Sequence, residues 1–94
     1  MTQQLILSGE QTIYQAADLH RMLVEALSKK EALEVELSGV SEFDSAAAQI
    51  MIWLQRECER LGLALALIEP SQSVLDLVAL LGLARVLTFQ ETHS

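Results

Sequence analysis

The residues best placed to do chemistry are Asp44 and Ser45, within the run LEVELSGVSEFDSAAAQ at positions 33–49. An Asp directly before an apolar-periodic run is a preferred helix N-cap, because its carboxylate accepts from the unpaired amides of the first turn. Ser45 then takes the first helical position, with its hydroxyl beside a ring of free N–H groups. Negative charge is tolerated at that end of the helix dipole, so the hydroxyl is suited to carrying a phosphate. Asp44 reads as a structural cap that orders the turn.

Other reactive residue types form no constellation. His20 and His93 lie far apart, with no Cys or His partner at metal-ligand spacing. Cys58 falls on the apolar stripe of a helix and reads as a small packed hydrophobe rather than a nucleophile. Gly9, Gly39, Gly62 and Gly82 are scattered punctuation, not a phosphate-cradling loop. No pair of carboxylates is arranged for acid–base work. The expectation is a protein that is not an enzyme, with neither metal nor cofactor.

The helix after Ser45 points instead to binding. With Ile50 as zero and about 100° per residue, Ser45, Gln49, Ile52 and Arg56 cluster at about 200–260°, and Trp53 flanks them at about 300°. Trp and Arg are common interface anchors. The candidate partner-binding set is therefore Asp44, Ser45, Gln49, Ile52, Trp53 and Arg56. Trp53 has an alternative role, leaning over the first or third helix as half-buried core. Phe43, just before the cap, reads as a hydrophobic staple.

These residues need a scaffold, and the periodicity supplies one. Gln4–Ser8 alternates and predicts a first strand; Gly9-Glu10 reads as a turn, with Gln11–Ile13 a short strand pairing back on it. A helix from about Tyr14 or Gln15 carries Ala16, Leu19, Leu23, Ala26 and Leu27 on one stripe and closes at Ser28-Lys29-Lys30. Leu33–Leu37 is a strand with one dry face and, at Glu34 and Glu36, one wet face. The second helix runs from about Ser45 to Leu61 and stops at Gly62, with Ala47, Ile50, Met51, Leu54, Cys58 and Leu61 toward the sheet. Leu63–Ile68 follows as a strand. Ser71 caps a third helix with Val74, Leu77, Val78 and Leu81 on one face, ended by Gly82. Val86–Phe89 predicts a short last strand and Gln90–Ser94 a frayed tail.

Strands alternating with helices predict an α/β fold with parallel pairs joined by right-handed crossovers. The wet glutamates leave one sheet face bare. That favours two layers, a small mixed sheet with all helices on one face, over a doubly wound fold. The expected core joins Leu5, Leu7, Val35, Leu37, Leu65 and Leu67 to Ile50, Leu54, Leu23 and Val78.

With 94 residues, the chain reads as one domain over 1–94 with its core at about 4–89. A hydrophobic content of 51% against 20% charged is globular, not disordered. The net charge of −7 argues against tracking a phosphate backbone, so nucleic acid is not an expected partner. The lone Cys58 suits a reducing compartment. No apolar run reaches the ~18 residues of a membrane span, and the start lacks a basic region and long apolar run, so the expectation is cytoplasmic.

In order and spacing, these stretches resemble the STAS domain, the fold of anti-sigma-factor antagonists and of sulfate-transporter tails. The resemblance rests on the strand and turn LSGVSEFDSAAAQ, on LSGE at Leu7–Glu10, on Thr12–Leu19, and on LALIEPSQSVLDLVALLGLARVL near the end. It covers Leu5–Phe89. In that family the Ser or Thr after the Asp is the switch phosphosite, a position Ser45 matches; the Gly that usually stands two residues later is Ala47 here. The resemblance implies a non-enzymatic bacterial signalling module whose partner binding is controlled by phosphorylation at Ser45. The partners it implies are a serine kinase or anti-sigma-type regulator and a phosphatase. It also leaves an alternative: a constitutive STAS subunit of a lipid-transport ABC complex, without a phosphorylation cycle.

Overall fold

The computed structural model describes residues 1–90; of the expected frayed tail Gln90–Ser94, Gln90 is instead held by a parallel bridge to Ile68, and the rest, with His93, lies outside the described residues. Six elements follow one another: β1 (Thr2–Gln11), α1 (Ala16–Ser28), β2 (Ala32–Phe43), α2 (Ser45–Leu61), β3 (Leu65–Ile68) and α3 (Gln72–Leu80). The strands lie in the order β1-β2-β3, and both pairings are parallel. Each crossover steps the same way along the sheet, so a shared handedness puts α1 and α2 on the same face. The two-layer α/β arrangement is as expected.

The sheet differs in one respect from the expected mixed one. Gln11–Ile13 forms no antiparallel partner for β1: Gln11 pairs with Phe43 as the last residue of β1, and Gln15 N donates to Thr12 O (3.0 Å) to close a turn. Gly9, with φ of 69°, does not reverse the chain. It sits beside a register slip whose extra residue, Ser41, is on β2 between the pairs Gly9–Val40 and Glu10–Glu42, and β1 continues past that bulge to Gln11.

Alternation along β2 sorts its side chains. Leu33, Val35 and Leu37 are buried beneath the helices, while Glu34 and Glu36 are half-buried on the opposite face. There Gln4 Nε2 donates to Glu34 (2.9 Å) and Ser38 Oγ to Glu36 (2.8 Å). Against the dry face pack Leu19, Leu23, Ala26 and Leu27 of α1, Ala47, Ala48, Met51, Leu54 and Cys58 of α2, and Val74 and Val78 of α3. Leu5, Leu65 and Ile50, expected inside, are half-buried at the margin of that core.

Two further boundaries move. Leu63 N donates to Cys58 O (2.8 Å) in the cap that Gly62 closes at φ 70°, so β3 begins at Leu65 rather than Leu63. The expected strand Val86–Phe89 does not form. Val86 N and Leu87 N both donate back to Leu83 O, and Gln55 Nε2 donates to Val86 O (2.6 Å), leaving one parallel bridge among the described residues, Ile68 with Gln90. Leu81, expected on the buried face of α3, lies just past its end and is exposed.

Candidate functional site

The C-terminal ends of parallel strands are where α/β sheets present loops that bind. Here the end of β2 turns through Asp44 into α2, beside the loop 12–15 that leaves β1. Asp44 is in extended conformation, as an N-cap requires, and its Oδ1 accepts from Ala47 N (3.1 Å). Its Oδ2 accepts from Ile13 N (2.8 Å). One carboxylate therefore joins the start of α2 to the loop 12–15.

That loop is itself cross-braced. Gln15 Oε1 accepts from Thr12 N (3.1 Å) and from Thr12 Oγ1 (2.7 Å), and Thr12 Oγ1 accepts from Tyr14 N (3.3 Å). The result presents Ile13 and Tyr14 outward, 64% and 89% exposed. On the other side, Ser73 Oγ donates to Ser41 O (2.7 Å), tying the first turn of α3 to the end of β2.

Ser45 opens α2 with its side chain exposed, and its hydroxyl makes no hydrogen bond to the described residues. Gln49 and Arg56 are exposed farther along the same helix face. Ile52 shares that face but is half-buried and packs against the core, so it is less open than the wheel suggests. Trp53 is half-buried too, its ring 4.6 Å from that of His20 on α1 at a 52° tilt. Of its two expected roles, this geometry is that of a residue leaning over the first helix. His20 is a stacking partner for it.

Ala47 is fully buried, so the methyl group that stands in place of the family glycine points into the core and away from any docking surface. Cys58 is buried as well. Burial first, and the Glu57 carboxylate second, push its thiol up, which holds it protonated and unreactive. Among the described residues no group of His, Cys, Asp and Glu could hold a metal ion.

Ile13 and Tyr14 are the surface residues that the sequence reading left out. The available signal is at Tyr14, which falls opposite the apolar stripe of the helix after it; Ile13 keeps the parity of Leu5 and Leu7 and so reads as strand.

The fold is similar to that of the protein TM1081, solved by NMR, with a TM-score of 0.76 and 21% identity; the match covers 97% of this chain and 74% of that one. No curated protein matches the chain. Residues 1–88 match the family model described as Mlab, STAS domain. With nearly all of the chain in that match, and with the Asp-capped helix after β2 in place, the protein belongs to the STAS domain family.

Proposed function

We propose that this protein is a non-enzymatic, anti-sigma-factor-antagonist-like signalling module that docks a cytosolic regulator or its switch kinase through the surface around the start of α2. Phosphorylation at Ser45 releases that partner. Domains of this family are generally binding modules that mediate protein–protein contacts. The observation that carries the reading is the exposed, unbonded Ser45 hydroxyl beside an Asp44 whose two oxygens are both engaged. Asp44 is a positioning group here, because it sets the helix start that presents Ser45.

The docking surface comprises Ser45, Gln49 and Arg56 along α2, with the edge of Ile52, and Ile13 and Tyr14 beside them. Trp53 supports the surface from beneath by bracing α2 against α1. The test is recovery of bound proteins from native lysate on immobilised wild type, Ser45→Ala and Ser45→Asp, with mass spectrometry of the native protein for phosphate at Ser45. A partner retained by wild type and Ser45→Ala but lost by Ser45→Asp supports the switch.

A second reading is favoured by the description of the matching family as Mlab: a constitutive subunit of a lipid-transport ABC complex. It uses the same surface with no phosphorylation cycle. Equal recovery of an ABC ATPase on all three forms, with Ser45 unmodified in cells, would select it.

A further inference from the structure

A second surface lies away from Ser45, at the outer edge of β1. Leu33 N donates to Ala64 O, so the main-chain groups of Leu33 and Val35 face β3 and those of Glu34 and Glu36 face β1. Gln4 is level with Glu34 and Ile6 with Glu36. A parallel ladder in that register bonds Gln3, Leu5 and Leu7 to β2 and turns the N–H and C=O of Gln4 and Ile6 outward. Those groups have no partner among the described residues. Gln4 is exposed and Ile6 is 66% exposed, so this edge is open. Thr2–Ser8 also has none of the charged residues or prolines that commonly keep an edge from pairing.

The two margins of the edge differ. Toward the helices lie half-buried Leu5 and, on the flank of α1 away from His20 and α2, Met22 at 38% exposure. On the open face Gln4 and Ile6 stand beside Glu34 and Glu36. These carboxylates accept from Gln4 Nε2 and Ser38 Oγ but pair with no cation among the described residues.

We propose that this edge adds an extended segment of a partner protein in which basic and apolar residues alternate. Main-chain pairing with Gln4 and Ile6 supplies affinity, and alternate side chains supply selectivity. Side chains level with Gln4 and Ile6 share their open face. From there Glu34 and Glu36 are two strand spacings away, about 10 Å, a gap that a Lys lying over Ile6 and a Glu side chain span together. The intervening side chains of the segment turn to the helix layer, beside Leu5 and Met22, where apolar groups fit. Charge also argues against a second copy as the occupant. Pairing β1 with itself would bring two such acidic faces side by side, in a chain of net charge −7. The edge is independent of the Ser45 surface and of what docks there.

The test is titration of the ¹⁵N-labelled full chain with N-acetyl-Lys-Val-Lys-Val-Lys-amide, with N-acetyl-Glu-Val-Glu-Val-Glu-amide, and with N-acetyl-Lys-Lys-Lys-Val-Val-amide, which keeps composition and charge without the alternation. The first peptide should shift the Gln4 and Ile6 amides saturably and slow their exchange with solvent. The other two peptides should bind about tenfold or more weakly, as should the first peptide on the doubly substituted Glu34→Gln, Glu36→Gln protein. Both glutamines keep an acceptor for Gln4 and Ser38, and an unchanged remainder of the spectrum would verify the fold. Three results would each overturn the proposal: no saturable shift at Gln4 and Ile6, equal affinity for the alternating and block peptides, or concentration-dependent shifts at those amides without peptide, which would make the occupant a second copy.

Discussion

Asp44 accepts from Ile13 N at 2.8 Å across 31 residues of chain, with the same carboxylate that caps α2. The loop after β1 and the helix after β2 are thus held in one orientation by one side chain. Anything that docks on Ser45 also meets Ile13 and Tyr14, because their backbone is tied to the residue before Ser45.

Replacing Asp44 tests that tie. Asp44→Ala removes the cap and the bond to Ile13 together and should cost roughly 1–3 kcal/mol in a denaturant melt. Asp44→Asn keeps one acceptor oxygen for Ala47 N but sets its NH₂ against Ile13 N–H. It should recover part of the stability while the Ile13 amide exchanges faster with solvent. Wild-type exchange at Ile13 in both variants would show that the loop stands without Asp44.

Ile13 and Tyr14 should matter to partner binding more than to folding. Both are well exposed, and surface substitutions away from caps and cores usually change stability by less than about 0.5 kcal/mol. Ile13→Asp and Tyr14→Ala are therefore expected to melt like wild type and to retain less partner. Ile52→Asp should differ by lowering stability as well, since Ile52 is half-buried against the core. Unchanged recovery of partner on folded Ile13→Asp and Tyr14→Ala would move the docking surface elsewhere.

Leu54 is fully buried between α2 and the sheet. Leu54→Ala should cost about 2–5 kcal/mol, the range for a leucine cavity that cannot fully collapse. A loss within the error of a denaturant melt would mean that α2 is rotated relative to the sheet.

How much of this was legible in the chain follows from how local each signal is. The bounds of α2 were readable because Asp44, the apolar stripe and Gly62 are all local devices, and the structure places the helix at Ser45–Leu61. The dry and wet faces of β2 were readable from alternation alone. Gly9 misled because a glycine that permits positive φ serves a turn and a strand passing a bulge equally, and only the neighbouring strand decides between them. The last strand misled because Val86 and Leu87 bond back to Leu83, a choice that depends on α2 offering Gln55 nearby. The bond from Ile13 to Asp44 joins distant residues and leaves no trace in either local pattern.

Cys58 predicts an alkaline weakness. Its thiol is pushed up in the fold by burial, and then by Glu57. Between the unfolded and folded pKa values the unfolded chain holds fewer protons, so stability falls as pH rises. The contribution is complete below the ordinary thiol range and declines as pH rises through it toward the raised folded value. Cys58→Ala should flatten that part of the stability profile, measured by denaturant melts at a series of pH values up to about pH 10, near the ordinary thiol range. An identical slope in the variant would assign the decline to other groups.

The switch at Ser45 makes the sharpest demand. Phosphate there adds about −1.5 to −2 charges at pH 7. The first turn of α2 has free N–H groups and the positive end of the dipole, so the fold should tolerate the charge. The surface should not. Asp44 is adjacent and Glu42 is exposed close by, so a partner fitted to a neutral hydroxyl would meet a strongly hydrated dianion in a negative field. Desolvating it without a matching cation costs more than a small interface returns. Ser45→Ala should therefore bind constitutively and Ser45→Asp weakly, with thermal midpoints of both close to wild type. Phosphorylated protein should bind more weakly than Ser45→Asp, because one carboxylate carries less charge than a phosphate. Equal affinities for the wild-type, Ala, Asp and phosphorylated forms, all folded, would remove the switch and leave a constitutive docking subunit.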